Sequence, residues 1–595
     1  MGFFRAIFKF IVTMFALFGF LVFLIIAGGV AAVYQMKKDR FLIPTETILT
    51  LTVDGNIVEY ASRDQVLREV LGPTVTMLDI VAQLENAAED EQVKGLLLRI
   101  ADHELSYAQI QEIREAVIAF RKSGKPTVAY ADSFGELTRG MASYYLATAC
   151  EEIYLQASGT LDLSGISAES PFLKGLLAKL GVQPIGETRK EYKNAWNIFT
   201  EEKYTGPHRE AVHRMLETIF SRMVADIAAA RKIEPEKARA LVDRSPFFAA
   251  EAVAERLIDG VKFRDEVLAH IEQKAACAKY TPLYRYEPTF PPDTATEATV
   301  AVVIAEGEIH RGKSRLDPFG RSNRIGGDSL AKAIRDAAAD PGVQAVVLRV
   351  NSPGGSVVAS ETIWREVANA VKEAQKPVIV TMGSVAASGG YYISMAADRI
   401  IAQPATLTGS IGVIIGKMYT PDMWKKIGVT FDSDQIGKNA RLFSSLTKLD
   451  ADQTALLRRM LDSIYDTFVS RAAAGRKKSP EEIEPFAKGR VWTGEDALAH
   501  GLVDELGGYT AAFAEARKRL GLQPGAMVAL KFYPPEPNFF DYLLDRDSDD
   551  EVAATAGLLA DLSAGARKLF SLLLMAEKLE RRENFELSTE PVDIR

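Results

Sequence analysis

An internal repeat with a spacing of about 250 residues constrains the fold more than any other feature of this sequence. The apolar segment 93–100 matches 343–350, and three later blocks match in the same order. The three later pairs of blocks are 125–130 with 376–381, 141–156 with 388–403, and 252–259 with 497–504. Four blocks in register indicate a duplicated unit, because chance similarity between two segments would produce one such block at most.

Each copy alternates short β-branched apolar runs with amphipathic stretches, such as 107–121 and 360–373. This alternation predicts βαβ units with right-handed crossovers and a mostly parallel sheet, so we expect an α/β fold. The predicted divisions of the chain are an N-terminal segment 1–45, a first repeat 46–279, a Pro- and Thr-rich linker 280–297, a second repeat 298–520 and a C-terminal extension 521–595.

The N-terminal segment contains an uncharged apolar run from residue 10 to residue 34. A helix needs about 20 residues to cross the hydrocarbon core, so this run predicts a transmembrane anchor. A cleaved signal peptide is the alternative, but its apolar part usually has about 7–15 residues and a small-residue cleavage site follows it. Basic residues lie on both sides of the run, at Arg5, Lys9, Lys37 and Lys38, so charge does not decide its orientation.

Composition excludes several classes of protein and of site. The formal net charge is −8, which argues against a nucleic-acid binder because such proteins carry a basic surface. The two cysteines, Cys150 and Cys277, cannot form a disulfide framework. The six histidines are scattered without metal-ligand spacing, and no phosphate-binding GxxxxGK[ST] motif occurs. We therefore expect no metal and no cofactor.

A glycine pair follows the first matched strand in the second copy only. Residues 351–356 read Asn-Ser-Pro-Gly-Gly-Ser, whereas residues 101–106 of the first copy read Ala-Asp-His-Glu-Leu-Ser. Adjacent glycines allow backbone N–H groups to converge on a developing oxyanion. A tight turn that needs a positive φ is the alternative interpretation.

Ser388 is the candidate nucleophile, since it lies among small residues at a predicted loop-to-helix junction. A helix N-cap is the alternative role for a serine at this position. Its base could be a histidine, and His310 and His500 lie in the second copy. A buried lysine with a lowered pKa would also serve, and Lys193, beside aromatic residues, is the candidate. Aligning the copies places Ala440 opposite Lys193, so each copy keeps half of a possible dyad.

Taken together, these motifs resemble the long, duplicated form of the signal peptide peptidase A (SppA) family. Those proteins are membrane-anchored serine peptidases of the ClpP/crotonase superfold. The resemblance covers nearly the whole chain, and the matching motifs are the apolar run 10–34, Tyr-Lys-Asn-Ala at 192–195, Asn-Ser-Pro-Gly-Gly-Ser at 351–356, Ala-Ala-Ser-Gly-Gly-Tyr-Tyr at 386–392 and Thr-Gly-Ser-Ile-Gly-Val at 408–413. It implies two tandem ClpP/crotonase-like repeats, preceded by one transmembrane helix and followed by a C-terminal extension.

The resemblance also implies roles for single residues. Ser388 would be the nucleophile and Lys193 the general base, with Ser410 holding the lysine amine. The backbone amides of Gly355 and Gly389 would form the oxyanion hole. No metal or cofactor is implied.

Location, substrates and partners are implied in the same way. The N-terminus would be cytoplasmic, with the catalytic body on the periplasmic side of a bacterial inner membrane. The substrates would be remnant signal peptides, and the assembly a homotetramer without nucleic acid. Two alternatives stay open, namely a crotonase-type acyl-CoA enzyme on the same superfold and a non-catalytic membrane scaffold.

Overall fold

The computed structural model describes most of the chain between residues 46 and 535. The described residues are 46–55, 57–61, 75–136, 139–286, 297–314, 324–535 and the strand Leu587–Ser588. The predicted anchor at 10–34 lies outside them. Within these ranges no helix combines the length and the apolar character needed to cross a bilayer.

The first repeat is built on a parallel sheet of six strands. These strands are β1 (Thr47–Val53), β4 (Val93–Ile100), β5 (Thr127–Ala131), β6 (Glu152–Leu155), β10 (Gly260–Val261) and β11 (Tyr280–Pro282). Their order is β10-β6-β5-β4-β1-β11. Most residues of β1, β4 and β5 are buried, as expected for parallel strands covered by helices on both faces.

Helices and short strands complete the first repeat. The helices are α1 (Met77–Glu89), α2 (Tyr107–Arg121), α3 (Met141–Ala147), α4 (Lys174–Leu180), α5 (Asn197–Thr200), α6 (Gly206–Arg231), α7 (Pro235–Val242), α8 (Ala249–Ala254) and α9 (Arg264–Ala275). The other strands are β2 (Ile57–Val58), β3 (Val75–Thr76), β7 (Thr160–Leu161), β8 (Gln183–Arg189) and β9 (Phe247–Phe248). Helix α2 starts with a capping box, in which Ser106 and Gln109 satisfy each other's backbone N–H groups.

The second repeat contains a sheet with the same strand order. Its matching strands are β12 (Ala298–Glu306), β15 (Ala345–Ser352), β17 (Val378–Ala387), β18 (Arg399–Ala402), β22 (Glu505–Leu506) and β23 (Val528–Tyr533). They run in the order β22-β18-β17-β15-β12-β23. Buried tyrosines repeat as well, since the Tyr144 hydroxyl donates to the Leu257 carbonyl and the Tyr391 hydroxyl to the Leu502 carbonyl. The predicted α/β fold is therefore confirmed, and both copies share one topology.

The remaining elements of the second repeat surround this sheet. The helices are α10 (Gly327–Ala339), α11 (Val357–Lys372), α12 (Gly389–Ser394), α13 (Pro421–Lys426), α14 (Ala451–Arg476), α15 (Pro480–Ile483), α16 (Gly494–Ala499) and α17 (Tyr509–Arg519). The other strands are β13 (Glu308–His310), β14 (Arg324–Gly326), β16 (Gly354–Gly355), β19 (Leu407–Gly409), β20 (Val413–Tyr419), β21 (Val491–Thr493) and β24 (Leu587–Ser588).

The two sheets extend beyond the predicted repeat boundaries. Strand β11 lies in the predicted linker and pairs with β1, while β23 lies in the predicted C-terminal extension and pairs with β12. Both are edge strands. An edge strand tolerates proline, as at Pro282, because one of its sides needs no ladder hydrogen bonds. The Pro-rich composition around 280–297 therefore concealed a strand.

The repeats are joined by a ribbon and by a shared core. Strand β8 of the first repeat pairs antiparallel with β20 of the second, from Arg189 opposite Val413 to Gln183 opposite Tyr419. One hydrophobic cluster contains buried residues of both copies, including Phe120 and Val347. The ribbon brings the residues that follow β8 to the carboxyl end of the second sheet.

Candidate active site

Ser388 lies where β17 ends and α12 begins, at the carboxyl end of the second sheet. Its φ of 54° and ψ of −115° are unusual for a residue with a side chain. The Ser388 N–H donates to the Gly409 carbonyl at 2.9 Å, which holds this turn in place. Ser388 is fully buried. A strained, buried serine at a strand-to-helix turn is typical of a nucleophile that is held in one orientation.

Lys193 reaches Ser388 because the β8–β20 ribbon carries it there. It follows β8 and precedes a 3-10 turn at Asn194–Trp196. The two residues are 195 positions apart in the chain, and the Lys193 Nζ lies 2.8 Å from the Ser388 Oγ. Only 2% of the Lys193 surface is exposed. The lysine of the first repeat and the serine of the second thus form one buried pair.

Ser410 supplies the other contacts of the Lys193 amine. The amine lies 2.9 Å from the Ser410 Oγ and 3.1 Å from the Ser410 carbonyl oxygen. The Ser410 hydroxyl in turn donates to the Gly489 carbonyl at 3.4 Å. Since that hydroxyl uses its hydrogen on Gly489, it accepts from Lys193. Ser410 therefore offers the amine two acceptors.

Burial lowers the pKa of Lys193 from 10.5 to about 7, because desolvation disfavours the ammonium form. A neutral amine has two N–H groups and one lone pair. When its two N–H groups donate to the two Ser410 oxygens, the lone pair is left for the third neighbour, the Ser388 hydroxyl. This arrangement allows the amine to accept the serine proton.

The two glycine segments lie against each other beside Ser388. A Cβ atom built on Gly389 would lie 3.0 Å from the Gly354 Cα and 3.1 Å from the Gly355 nitrogen. Gly355 has a φ of 146°, and a Cβ there would lie 2.1 Å from the Ile309 carbonyl oxygen. A side chain at Gly389 would push the two glycine segments apart, whereas one at Gly355 would collide with the Ile309 backbone on β13. Glycine at position 389 therefore allows the two segments to lie this close together.

The histidines that remained candidate bases lie elsewhere. His500 stacks on Phe486, with ring centroids 4.2 Å apart, and His310 lies 3.3 Å from Glu308. Neither is hydrogen-bonded to Ser388 within the described ranges, so a serine–histidine pair is not assembled. Across the same residues, no group of three or more His, Cys, Asp or Glu side chains is placed to hold a metal ion. Cys150 and Cys277 are free and buried.

Sequence analysis missed the loop at 488–490, which covers Lys193. The Lys488 carbonyl accepts from the Tyr192 N–H at 3.1 Å, and the Arg490 carbonyl accepts from the Ser410 N–H at 2.7 Å. Gly489 has a φ of 80° and packs directly on the Lys193 backbone. The one sequence signal for this loop is a glycine between two basic residues. A pattern of three residues is too short to distinguish the loop from many other turns. The loop fixes both Lys193 and Ser410.

Gly489→Ala is expected to reduce kcat/KM about tenfold or more, since catalytic groups displaced by 1 Å lose up to about a hundredfold. A Cβ at Gly489 would lie 2.5 Å from the Lys193 Cβ, so the lysine must move. Movement toward solvent would raise the pKa of Lys193, which shifts the acidic limb of the pH–rate profile to higher pH. The measurement is that profile for both proteins.

Gly428→Ala is the matched control for this prediction. Gly428 has nearly the same φ, 81°, but a Cβ there would meet nothing within 4 Å. Both substitutions therefore impose the same backbone strain, and only Gly489→Ala adds the contact with Lys193. Equal rates and equal pH profiles for the two variants would contradict a positioning role of the loop.

Comparison with known proteins identifies relatives over most of the chain. The model of peptidase family S49 matches residues 119–278 and 370–523. Protease 4 of Salmonella typhi is 33% identical over 521 residues, covering 84% of this chain and 82% of that protein. The chloroplastic serine protease SPPA of Arabidopsis thaliana is 29% identical over 81% of this chain and 71% of its own length. Among solved structures, a ClpP1 mutant of Listeria monocytogenes has 16% identity and a TM-score of 0.23, covering 34% of this chain and 90% of its own.

Proposed function

The chain belongs to peptidase family S49 and is a serine protease, and on that premise we propose that it hydrolyses remnant signal peptides with a Ser388–Lys193 dyad. The observation that carries the proposal is the 2.8 Å contact between the Lys193 Nζ and the Ser388 Oγ, both of which are buried. That distance lies within the range of about 2.6–3.2 Å expected for a nucleophile and its base.

The proposed reaction has two stages. Lys193 takes the Ser388 proton as the Ser388 oxygen attacks the scissile carbonyl carbon, and the Gly355 and Gly389 amides stabilise the oxyanion. The C–N bond then breaks, the Lys193 ammonium gives its proton to the leaving amine, and an ester on Ser388 remains. In the second stage a water molecule attacks the ester while Lys193 accepts its proton. The carboxylic acid leaves, and the proton returns to Ser388.

The edge of β16 supports an extended peptide as the substrate. The backbone of Leu587–Ser588 pairs antiparallel with Gly354 and Gly355 at this edge. An edge that accepts one chain as an added strand offers main-chain hydrogen bonds to any extended peptide, whatever its side chains. A peptide bound in place of Leu587–Ser588 would run past the glycine amides toward Ser388.

The proposal includes a location and an assembly. Residues 10–34 would anchor the chain in a bacterial inner membrane, with the catalytic body on the periplasmic side, where cleaved signal peptides lie within reach. We also propose that each repeat has the ClpP/crotonase fold and that the chain forms a homotetramer. Support for assembly comes from residues 425–440, which are all exposed and include Phe431 and the 99% exposed Ile436. Large exposed apolar side chains are typical of contacts between proteins.

The test uses the full-length protein in detergent with two synthetic peptides of equal length. One carries the apolar core of a signal peptide, and in the other serine and glycine replace that core. We expect kcat/KM to be at least about tenfold higher for the apolar peptide. A fluorophosphonate probe is expected to label Ser388, as judged by mass spectrometry of the tryptic peptide.

Each part of the proposal can fail separately. Equal kcat/KM values for the two peptides would reject signal peptides as the substrate class. Cleavage without labelling of Ser388 would reject the dyad.

A further inference from the structure

Arg349 is a fully buried cation that joins the two repeats. It lies on β15, and its guanidinium binds two carboxylates of the first repeat. The Nε and Nη2 atoms donate to Glu59 at 2.9 and 3.0 Å, and Nη2 and Nη1 donate to Glu112 at 2.7 and 3.3 Å. Bidentate pairing of this kind fixes both the distance and the orientation of the groups.

The same guanidinium also contacts the second repeat. Its Nη1 donates to the Thr381 hydroxyl at 3.2 Å on the neighbouring strand β17, and its carbon lies 4.6 Å from the centre of the Tyr509 ring. The Tyr509 N–H donates to Glu112 at 2.8 Å. One side chain therefore ties β15, β17 and α17 to helix α2 of the first repeat.

This cluster lies beside an irregularity in β17. The β15–β17 ladder is regular up to Val350 opposite Met382, and the next pair is Ser352 opposite Ala386. Between these two pairs β17 has three residues, 383–385, where β15 has one, Asn351, so β17 forms a bulge that bends the strand there. Ser388 and the Gly354–Gly355 strand both come after this point.

Helix α2 contacts the bulge at a second place. The hydroxyl of Ser106, its N-cap, lies 2.7 Å from the hydroxyl of Ser384, which is part of the bulge. Glu112 on the same helix is held by Arg349. The helix is thus braced against β17 through Arg349 and through Ser106, on the segment that leads to Ser388.

The first repeat has an arginine at the equivalent position without these contacts. Arg99 occupies the matching place in β4, where its side chain is 38% exposed and lies 3.8 Å from Asp132. An exposed pair at that distance contributes little. The buried role is therefore specific to the copy that carries Ser388.

We propose that Arg349 is a positioning residue for catalysis: by fixing helix α2 of the first repeat against the β17 bulge, it sets Ser388 relative to the Gly355 amide. The proposal rests on the function proposed above. It gives the first repeat a second contribution to the site besides Lys193.

The test removes the whole charge cluster, because a single lost partner would leave an unpaired buried charge and could prevent folding. In Arg349→Met/Glu59→Leu/Glu112→Gln, glutamine keeps an acceptor for the Tyr509 N–H. We expect a folded protein whose kcat falls about 10- to 100-fold. The rate of fluorophosphonate labelling should fall by the same factor, while KM stays within about twofold.

The pH–rate profile separates this role from an effect on the base. Its acidic limb should not move, since the burial that lowers the pKa of Lys193 is unchanged. Arg99→Met is the matched control and is expected to keep the wild-type kcat. A folded triple variant with wild-type kcat and labelling rate would overturn the proposal, since the cluster would then only stabilise the fold.

If the triple variant does not fold, Arg349→Lys tests whether Arg349 positions Ser388. Lysine keeps the positive charge but lacks the planar fork that binds two carboxylates at once. We expect its kcat to fall about tenfold or more while its circular dichroism spectrum stays unchanged. A wild-type kcat would overturn the proposal. Failure of the proposed function itself would look different, since Ser388→Ala would then retain peptide hydrolysis.

Discussion

Ser388→Ala is expected to abolish peptide hydrolysis, with a loss of about 10⁶-fold in kcat, as for other serine nucleophiles. The substitution removes the Oγ that lies 2.8 Å from the Lys193 amine and leaves the backbone turn unchanged. It deletes one buried oxygen, so the protein should fold normally. The measurements are kcat for a signal-peptide substrate and the midpoint of thermal unfolding.

Ser394→Ala is the control for this experiment. Ser394 is also fully buried and lies on α12, the helix that follows Ser388, where its hydroxyl donates to the Gly390 carbonyl at 2.7 Å. Its removal should leave kcat within about threefold of the wild type, because that hydroxyl donates to a carbonyl of its own helix and does not contact the Lys193–Ser388 pair. Residual hydrolysis by purified Ser388→Ala at a hundredth of the wild-type rate would exclude Ser388 as the nucleophile.

The repeated sheet could be predicted from the sequence because its strands are buried on both faces. Such strands appear as continuous apolar runs, and residues 93–100 and 343–350 show this in both copies. The edge strands β11 and β23 were not predicted, since each has one unpaired side and tolerates proline or polar residues. Strands that are buried on both faces could therefore be recognised in the sequence, whereas these two edge strands could not.

Local sequence favours Ser388 as the nucleophile, whereas it offers Lys193 only as one of several candidate bases. A serine among glycines at a strand-to-helix junction is a local pattern, but a lysine acts as a base only where the fold buries it. Lys193 is buried because β8 pairs with β20, a contact between residues more than 200 positions apart. Strand β8 is half polar and carries no strong strand signal. The family resemblance selects Lys193 over His310 and His500, a choice that the local pattern leaves open.

The contacts between the two repeats could not be predicted from the sequence either, because they also join residues that are far apart in the chain. Arg349 and Arg99 occupy equivalent positions in the matching apolar strands, yet one is buried and the other is not. The difference comes from Glu59 and Glu112 of the first repeat, which contact Arg349 because the two repeats pack against each other. A single sequence does not reveal such packing between distant segments.

Lys193→Met is expected to reduce kcat about 10³-fold or more, the upper part of the range for a general base. Methionine fills a similar volume without a nitrogen that could take the Ser388 proton. Lys125→Met is the control, because the Lys125 amine also donates to backbone carbonyls, those of Ala87 and Asp90 at 2.7 and 2.6 Å, in the first repeat. It should keep the wild-type kcat. A fully active Lys193→Met would exclude this lysine as the base.

The same variant also tests whether the amine is neutral in the folded protein. In the unfolded chain Lys193 has an ordinary pKa of 10.5, and in the folded protein burial lowers its pKa to about 7. Between these values folding releases a proton, so rising pH stabilises the wild type by up to about 1.4 kcal/mol per unit. The contribution is complete above pH 10.5 and is lost as pH falls to about 7.

Lys193→Met lacks this contribution, so its free energy of unfolding relative to the wild type should be highest at pH 7 and should fall as pH rises to 9.5. Chemical unfolding of both proteins at these two pH values measures the difference. A difference that does not change with pH would mean that Lys193 binds its proton equally in the folded and the unfolded chain. The amine would then be a permanent cation at neutral pH, unable to accept the Ser388 proton, and the dyad would fail even though the two atoms are in contact.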